Sequence, residues 1–186
     1  MKKKNKVWVF EAYRKINPQA PFELTERKLF TEEKALVNCV SHRVADPIKK
    51  YGKDKAKPRF YTKERLNRTD ITIEPLEETW AFTYNFYYVD SHGKPMNTDK
   101  LELLEIYKKR DNSEDFDFDS VMVFNDKNDV KNYLEKLVNG WTEKFGKHEV
   151  LAKFYEDDEH RIDVEVKPEK DEWAFVFNPM EIANAA

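Results

Sequence analysis

At residues 78–85 the chain reads ETWAFTYN, and at 171–178 it reads DEWAFVFN. Successive side chains of an extended chain point to opposite faces, so Trp80, Phe82 and Tyr84, then Phe86 and Tyr88, line one side of the first phrase. Trp173, Phe175 and Phe177 line one side of the second. Aromatics in this alternation suit a half-buried strand, and a phrase written twice predicts two strands filling equivalent cores.

The correspondence extends outward from these phrases. Residues 7–64 align with 101–158 without a gap, at an offset of 94. This sets Glu11 on Glu105, Tyr13 on Tyr107, Lys15 on Lys109, Phe22 on Phe116, Gly52 on Gly146 and Phe60-Tyr61 on Phe154-Tyr155. After one deleted residue the offset is 93, and Arg68, Asp70, Pro75 and Trp80-Ala81-Phe82 meet Arg161, Asp163, Pro168 and Trp173-Ala174-Phe175. Identity at 19 of 79 aligned positions predicts a tandem internal duplication.

Each copy reads as a β-β-α-β-β-β module. The opening strands are VWVFEAYRK and LELLEIYKK, and second strands are expected over 22–30 and 116–124. In the second copy Phe116, Phe118, Met122 and Phe124 are expected to share one face, with Asp115, Asp117 and Asp119 on the other. Helices follow, with Thr31 and Asn125 as expected N-caps. Their apolar stripes are Leu36, Val40, Val44, Ile48 and Tyr51, and Val130, Leu134, Leu137, Val138, Trp141 and Phe145. Gly52 and Gly146 stop the helices, and Pro47 predicts a kink or restart in the first. Three further strands close each copy, over 58–65, 69–75 and 79–89, then 150–157, 161–167 and 172–178. The expected fold is α+β: a tandem pair of modules with mostly antiparallel sheets, one helix each, and pseudo-twofold symmetry. The expected boundaries are 1–90 for the first copy, 91–100 for a linker, 101–180 for the second copy and 181–186 for a tail.

The composition, 40% hydrophobic and 37% charged with four Gly, describes a packed chain with a solvated surface. The start MKKKNK lacks the apolar stretch of a signal peptide, no run is long enough to span a membrane, and Cys39 stands alone. A cytoplasmic protein without membrane association is expected.

Charge separates the copies. Residues 1–99 hold 20 Lys and Arg against 14 Asp and Glu, net +6, and residues 100–186 hold 13 against 22, net −9. The basic excess is densest at 49–59, with Lys49, Lys50, Lys53, Lys55, Lys57 and Arg59. The acidic excess is densest at 111–119, with Asp115, Asp117 and Asp119, and at Glu156-Asp157-Asp158-Glu159. Such runs are commonly solvated loops, yet opposite charges on sister modules also steer association.

The chain carries no phosphate loop, dinucleotide fingerprint, nucleophile elbow or zinc-protease helix, and no cofactor or metal is expected. Glu11 and Glu105 are the polar candidates, each two residues before Tyr13 or Tyr107, on strands where an apolar residue is the norm. They either pair with a cross-strand cation or line a groove where burial supports acid–base work. Three functions follow. The first is a non-enzymatic interaction protein with a protein partner, such as an inhibitor of the kind that phages and mobile elements encode. The second is a nucleic-acid binder using Lys49–Arg59, and the third a small-molecule sensor or enzyme with a pocket between the modules.

Overall fold

A computed structural model describes residues 5–63, 66–90, 94–109, 115–155 and 160–183. It is α+β, with ten strands, largely antiparallel, and two α-helices. The strands and helices in order are β1 (Lys6–Lys15), β2 (Glu23–Phe30), α1 (Glu33–Tyr51), β3 (Ala56–Lys63), β4 (Leu66–Ile73), β5 (Glu78–Asp90), β6 (Lys100–Lys109), β7 (Asp117–Phe124), α2 (Lys127–Phe145), β8 (Val150–Phe154), β9 (Arg161–Val166) and β10 (Asp171–Glu181).

The chain divides into two compact units. The N-terminal unit comprises Lys6–Tyr87 with Glu181–Ala186, and the C-terminal unit Met1–Asn5 with Tyr88–Met180. Within the first the strand order is β2-β1-β5-β4-β3; within the second β6 lies between β7 and β10, followed by β9 and β8. Each unit includes a short piece of the other half of the chain. In the C-terminal unit Val89 and Asp90 pair in parallel with Val123 and Phe124, and in the N-terminal unit Leu29 makes a parallel bridge to Ile182.

Each helix covers one face of its own sheet. In the N-terminal unit Trp8, Phe10, Phe30, Ile71, Trp80, Phe82 and Tyr84 pack against Leu36, Val40, Val44 and Ile48. In the C-terminal unit Leu104, Ile106, Phe124, Ile162, Val164, Trp173, Phe175 and Phe177 pack against Val130, Leu134, Val138 and Trp141. Trp80 stacks on Phe82 at 6.5 Å, and Trp173 on Phe175 at 6.4 Å. The aromatics of the repeated phrase are core residues through Tyr84 and Phe177. Phe86 and Tyr88 are exposed, and Phe86 meets Trp8 edge-on. β1 and β6 bury their positions in the same succession, as do β2 and β7.

Three local readings of the sequence are corrected. The N-caps fall one residue later than expected, at Glu32, whose side chain makes no capping bond, and at Asp126, whose side chain accepts from the Asp129 amide. That bond holds the Asp126 carboxyl below its ordinary range. Asn125 instead accepts from the Asn97 amide and donates to the Pro95 carbonyl. Second, α1 runs through Pro47 without a break, and both helices have 19 residues. The ring removes one amide donor, and the packing of the stripe on both sides holds the turn. Gly52 and Gly146 end the helices at φ +86° and +95° with ψ 155° and 151°, a region open only to glycine.

The third correction concerns β7. Ile106 pairs with Ser120 but Tyr107 with Phe118, leaving Asp119 as an extra residue, a β-bulge. The alternation flips there, so Met122 and Phe124 join the core while Phe118 packs edge-on against Tyr107 and is 57% exposed. β2 has the same irregularity: Ala12 pairs with Glu26 and Tyr13 with Leu24, and the intervening Thr25 hydroxyl donates to the Ala12 carbonyl.

Candidate interaction faces

The face of each sheet opposite its helix carries the polar residues. In the N-terminal unit a row crosses all five strands. Tyr61 pairs with Arg68 and Arg68 with Thr83, the Thr83 hydroxyl donates to Glu11 at 3.3 Å, and Glu11 pairs with Arg27. Glu11 accepts from Arg27 Nε at 2.8 Å and from the Tyr13 hydroxyl at 2.9 Å, with its side chain 20% exposed. Glu11 thus has the cross-strand cation that a sheet-stabilising role requires. Its charge also acts on Tyr87, whose hydroxyl is raised above its usual range chiefly by burial. In the C-terminal unit Tyr107 donates to Glu105 at 3.2 Å, but the residue across from Glu105 is Val121, and Arg161 pairs with Val176.

Each unit holds an arginine between two rings, which in the N-terminal unit is Arg68 of this row. Arg68 lies 5.2 Å from the centre of Phe22 and 5.5 Å from that of Tyr61, and donates twice to Asp70, at 2.6 and 2.9 Å. Arg161 lies 5.9 Å from Phe116 and 5.3 Å from Tyr155, and donates twice to Asp163, at 2.9 and 3.0 Å. Lys15 stands over Phe22, and Lys109 over Phe116. The cross-strand neighbours of Asp70 and Asp163 are Ala81 and Ala174, the middle residues of the repeated Trp-Ala-Phe phrases. A small side chain there leaves room for the carboxylate and its guanidinium. All these residues are identical at the two offsets, a signal that belongs to the alignment and to no catalytic motif. The bulges bring Phe22 and Phe116 to this face.

The basic candidates are gathered by the end of α1, the turn after it and β3. Among the described residues Lys49, Lys53, Lys55 and Arg59 are exposed and have no ion-pair partner, while Lys57 binds Glu74 and Lys50 stands over the Tyr51 ring. The acidic candidates Asp115, Asp117 and Asp119 are exposed at the start of β7, around the exposed Phe118. Glu156–Glu159, His92 and part of the expected linker lie outside the described residues. Among the described residues no group of His, Cys, Asp and Glu is arranged to hold a metal ion, and no helix is long and apolar enough to cross a membrane.

Two hollows in the C-terminal unit flank β8. On the helix side a groove of about 540 Å³ is lined by Leu134, Val138, Phe154, Ile162 and Phe177 together with Lys131, Glu135, Asn139, Tyr155 and Arg161. On the other side a hollow of about 360 Å³ carries Asp163, Glu165 and Glu172 with Lys153 and Tyr155. No family model, curated protein or solved structure matches the chain.

Proposed function

We propose that this chain is a non-enzymatic interaction protein, built from two tandem copies of one module that have diverged in charge, and that its acidic C-terminal copy binds a basic protein partner. The observation that carries this reading is the β7 bulge, which turns Phe118 outward among exposed Asp115, Asp117 and Asp119. An exposed aromatic flanked along its strand by Asp117 and Asp119 suits a partner surface that offers an apolar recess among Lys and Arg. Occupying such a basic surface is how an inhibitor of the mobile-element kind would act. The duplication is supported by the aligned identities and by the recurring Phe-Arg-Tyr clusters with their locked aspartates.

The test is affinity capture from source cells with the natural chain and with Asp115→Lys/Asp117→Lys/Asp119→Lys. A protein retained at low salt by the natural chain and lost from the variant supports the reading; equal retention by both, or no retained protein, ends it.

A second reading rests on the unpaired cations. Lys49, Lys53, Lys55 and Arg59 are exposed along the end of α1, the turn after it and β3, where Phe60 is exposed as well, and such cations and rings suit phosphates and bases. It predicts a salt-sensitive mobility shift with single-stranded or duplex DNA that disappears when Lys53, Lys55 and Lys57 become Gln. Absence of any shift at low salt removes it.

A further inference from the structure

β8 is the last strand of its sheet: it pairs with β9, and no other strand lies beside it among the described residues. β3 ends the sheet of the N-terminal unit in the same way and carries Lys57, Pro58 and Arg59. Proline and cations are devices that keep an open edge from recruiting another strand. At the aligned positions β8 has Leu151, Ala152 and Lys153, and its Leu151 and Phe154 are 47% and 70% exposed. β3 is guarded by a proline and two cations, whereas β8 keeps a single cation, Lys153, beside Leu151 and Ala152.

The surroundings of β8 differ on its two faces. Phe154 and Ala152 pair with Ile162 and Val164, on the helix side, where the apolar groove beside α2 lies. Lys153 and Leu151 pair with Asp163 and Glu165, on the side of the carboxylate-lined hollow. Asp163 is already satisfied by Arg161 and Tyr155, and Lys153 of β8 lines the same hollow, so the carboxylate left for an incoming cation is Glu165, on the neighbouring strand β9. Glu165 is exposed without an ion-pair partner among the described residues, and Glu172 is held only at 3.6 Å by Lys109. A strand added beside β8 would point its side chains alternately into these two environments.

We propose that β8 accepts an extended segment of the protein partner as an added strand, with apolar residues alternating towards the α2 groove and Lys or Arg alternating towards Glu165 across Leu151. This rests on the reading of the chain as a protein-binding molecule and assigns the segment chemistry that the C-terminal unit recognises. The edge amides and carbonyls supply affinity, and the two hollows supply the pattern.

The experiment titrates the full chain with a synthetic peptide of alternating Val and Lys, followed by amide NMR. Saturable shifts are expected to be largest at Val150–Phe154. Methylating alternate backbone nitrogens of the peptide removes ladder donors but keeps its side chains, and should weaken binding by about tenfold or more. Leu151→Lys/Ala152→Pro gives β8 the residues that β3 carries and should weaken it comparably, while Glu165→Lys should weaken it most at low salt. The proposal is overturned if millimolar peptide leaves the β8 amides unmoved, or if the methylated peptide binds equally well. Sedimentation that shows the natural chain pairing with a second copy through this edge, abolished by Leu151→Lys/Ala152→Pro, also overturns it. A partner captured through Asp115, Asp117 and Asp119 but still captured by the edge variant defeats this inference alone. Failure to capture any partner defeats the reading beneath it.

Discussion

Glu102 is 5% exposed on β6, and its Oε2 has no hydrogen-bond partner among the described residues. Burial raises its carboxyl above the ordinary 4.5, against smaller opposing effects of Lys100, His160 and Lys127. The folded chain therefore holds this proton more tightly than the unfolded chain. Stability from this group is complete below the unfolded value and is lost as pH rises through the raised one. Glu102→Gln should be more stable than the natural chain at neutral pH and converge with it in acid, as read by urea unfolding across a pH series. A constant difference at every pH would contradict this assignment. The arginine clusters make a second residue-level prediction. Asp70 is buried and accepts hydrogen bonds from both Nε and Nη2 of Arg68, so Arg68→Ala should cost about 2 kcal/mol in urea unfolding. Arg161→Ala should cost less, because Arg161 and Asp163 are the more exposed pair, at 37% and 19% against 29% and 11%.

At the scale of elements, what the sequence reveals depends on whether a signal is periodic or local. The Trp-Ala-Phe strands, the helical stripes and the two stop glycines were legible because each follows a fixed period or a backbone demand that one residue type meets. The bulges were not, since an inserted residue such as Asp119 leaves composition untouched and reverses only which face the following residues take. Alternation therefore places Phe118 on the same face as Met122 and Phe124, whereas its outward turn is what suggests the site. The arginine clusters were legible in part: their identities stood in the alignment, but which residues touch was decided by cross-strand register. Pro47 shows the limit of a propensity rule, because packing of α1 on its sheet outweighs one missing hydrogen bond. The glycine assignment carries its own check. Gly52→Ala and Gly146→Ala meet no steric obstacle in space, yet each forces a side chain into a glycine-only backbone region. Each should cost about 1–3 kcal/mol in thermal or urea unfolding, and a neutral result would place the helix ends elsewhere.

For the whole molecule, charge gives the clearest division of labour. A net of +6 over residues 1–99 and −9 over 100–186 makes the near-neutral total a poor guide to how the surface behaves. The proposed binding features lie in the acidic half, at the two ends of its strand order, and both favour a basic partner: Phe118 flanked by its aspartates on β7, and the β8 edge between an apolar groove and the hollow that holds Glu165. The unpaired lysines of the other half compete for the functional role. Amide hydrogen exchange on the chain with its captured partner separates the two most directly, because bound segments slow while the rest exchanges as before. The account predicts added protection at residues 117–120 and 150–154 with none at 49–59. Protection confined to 49–59, with residues 117–120 unchanged, would contradict it.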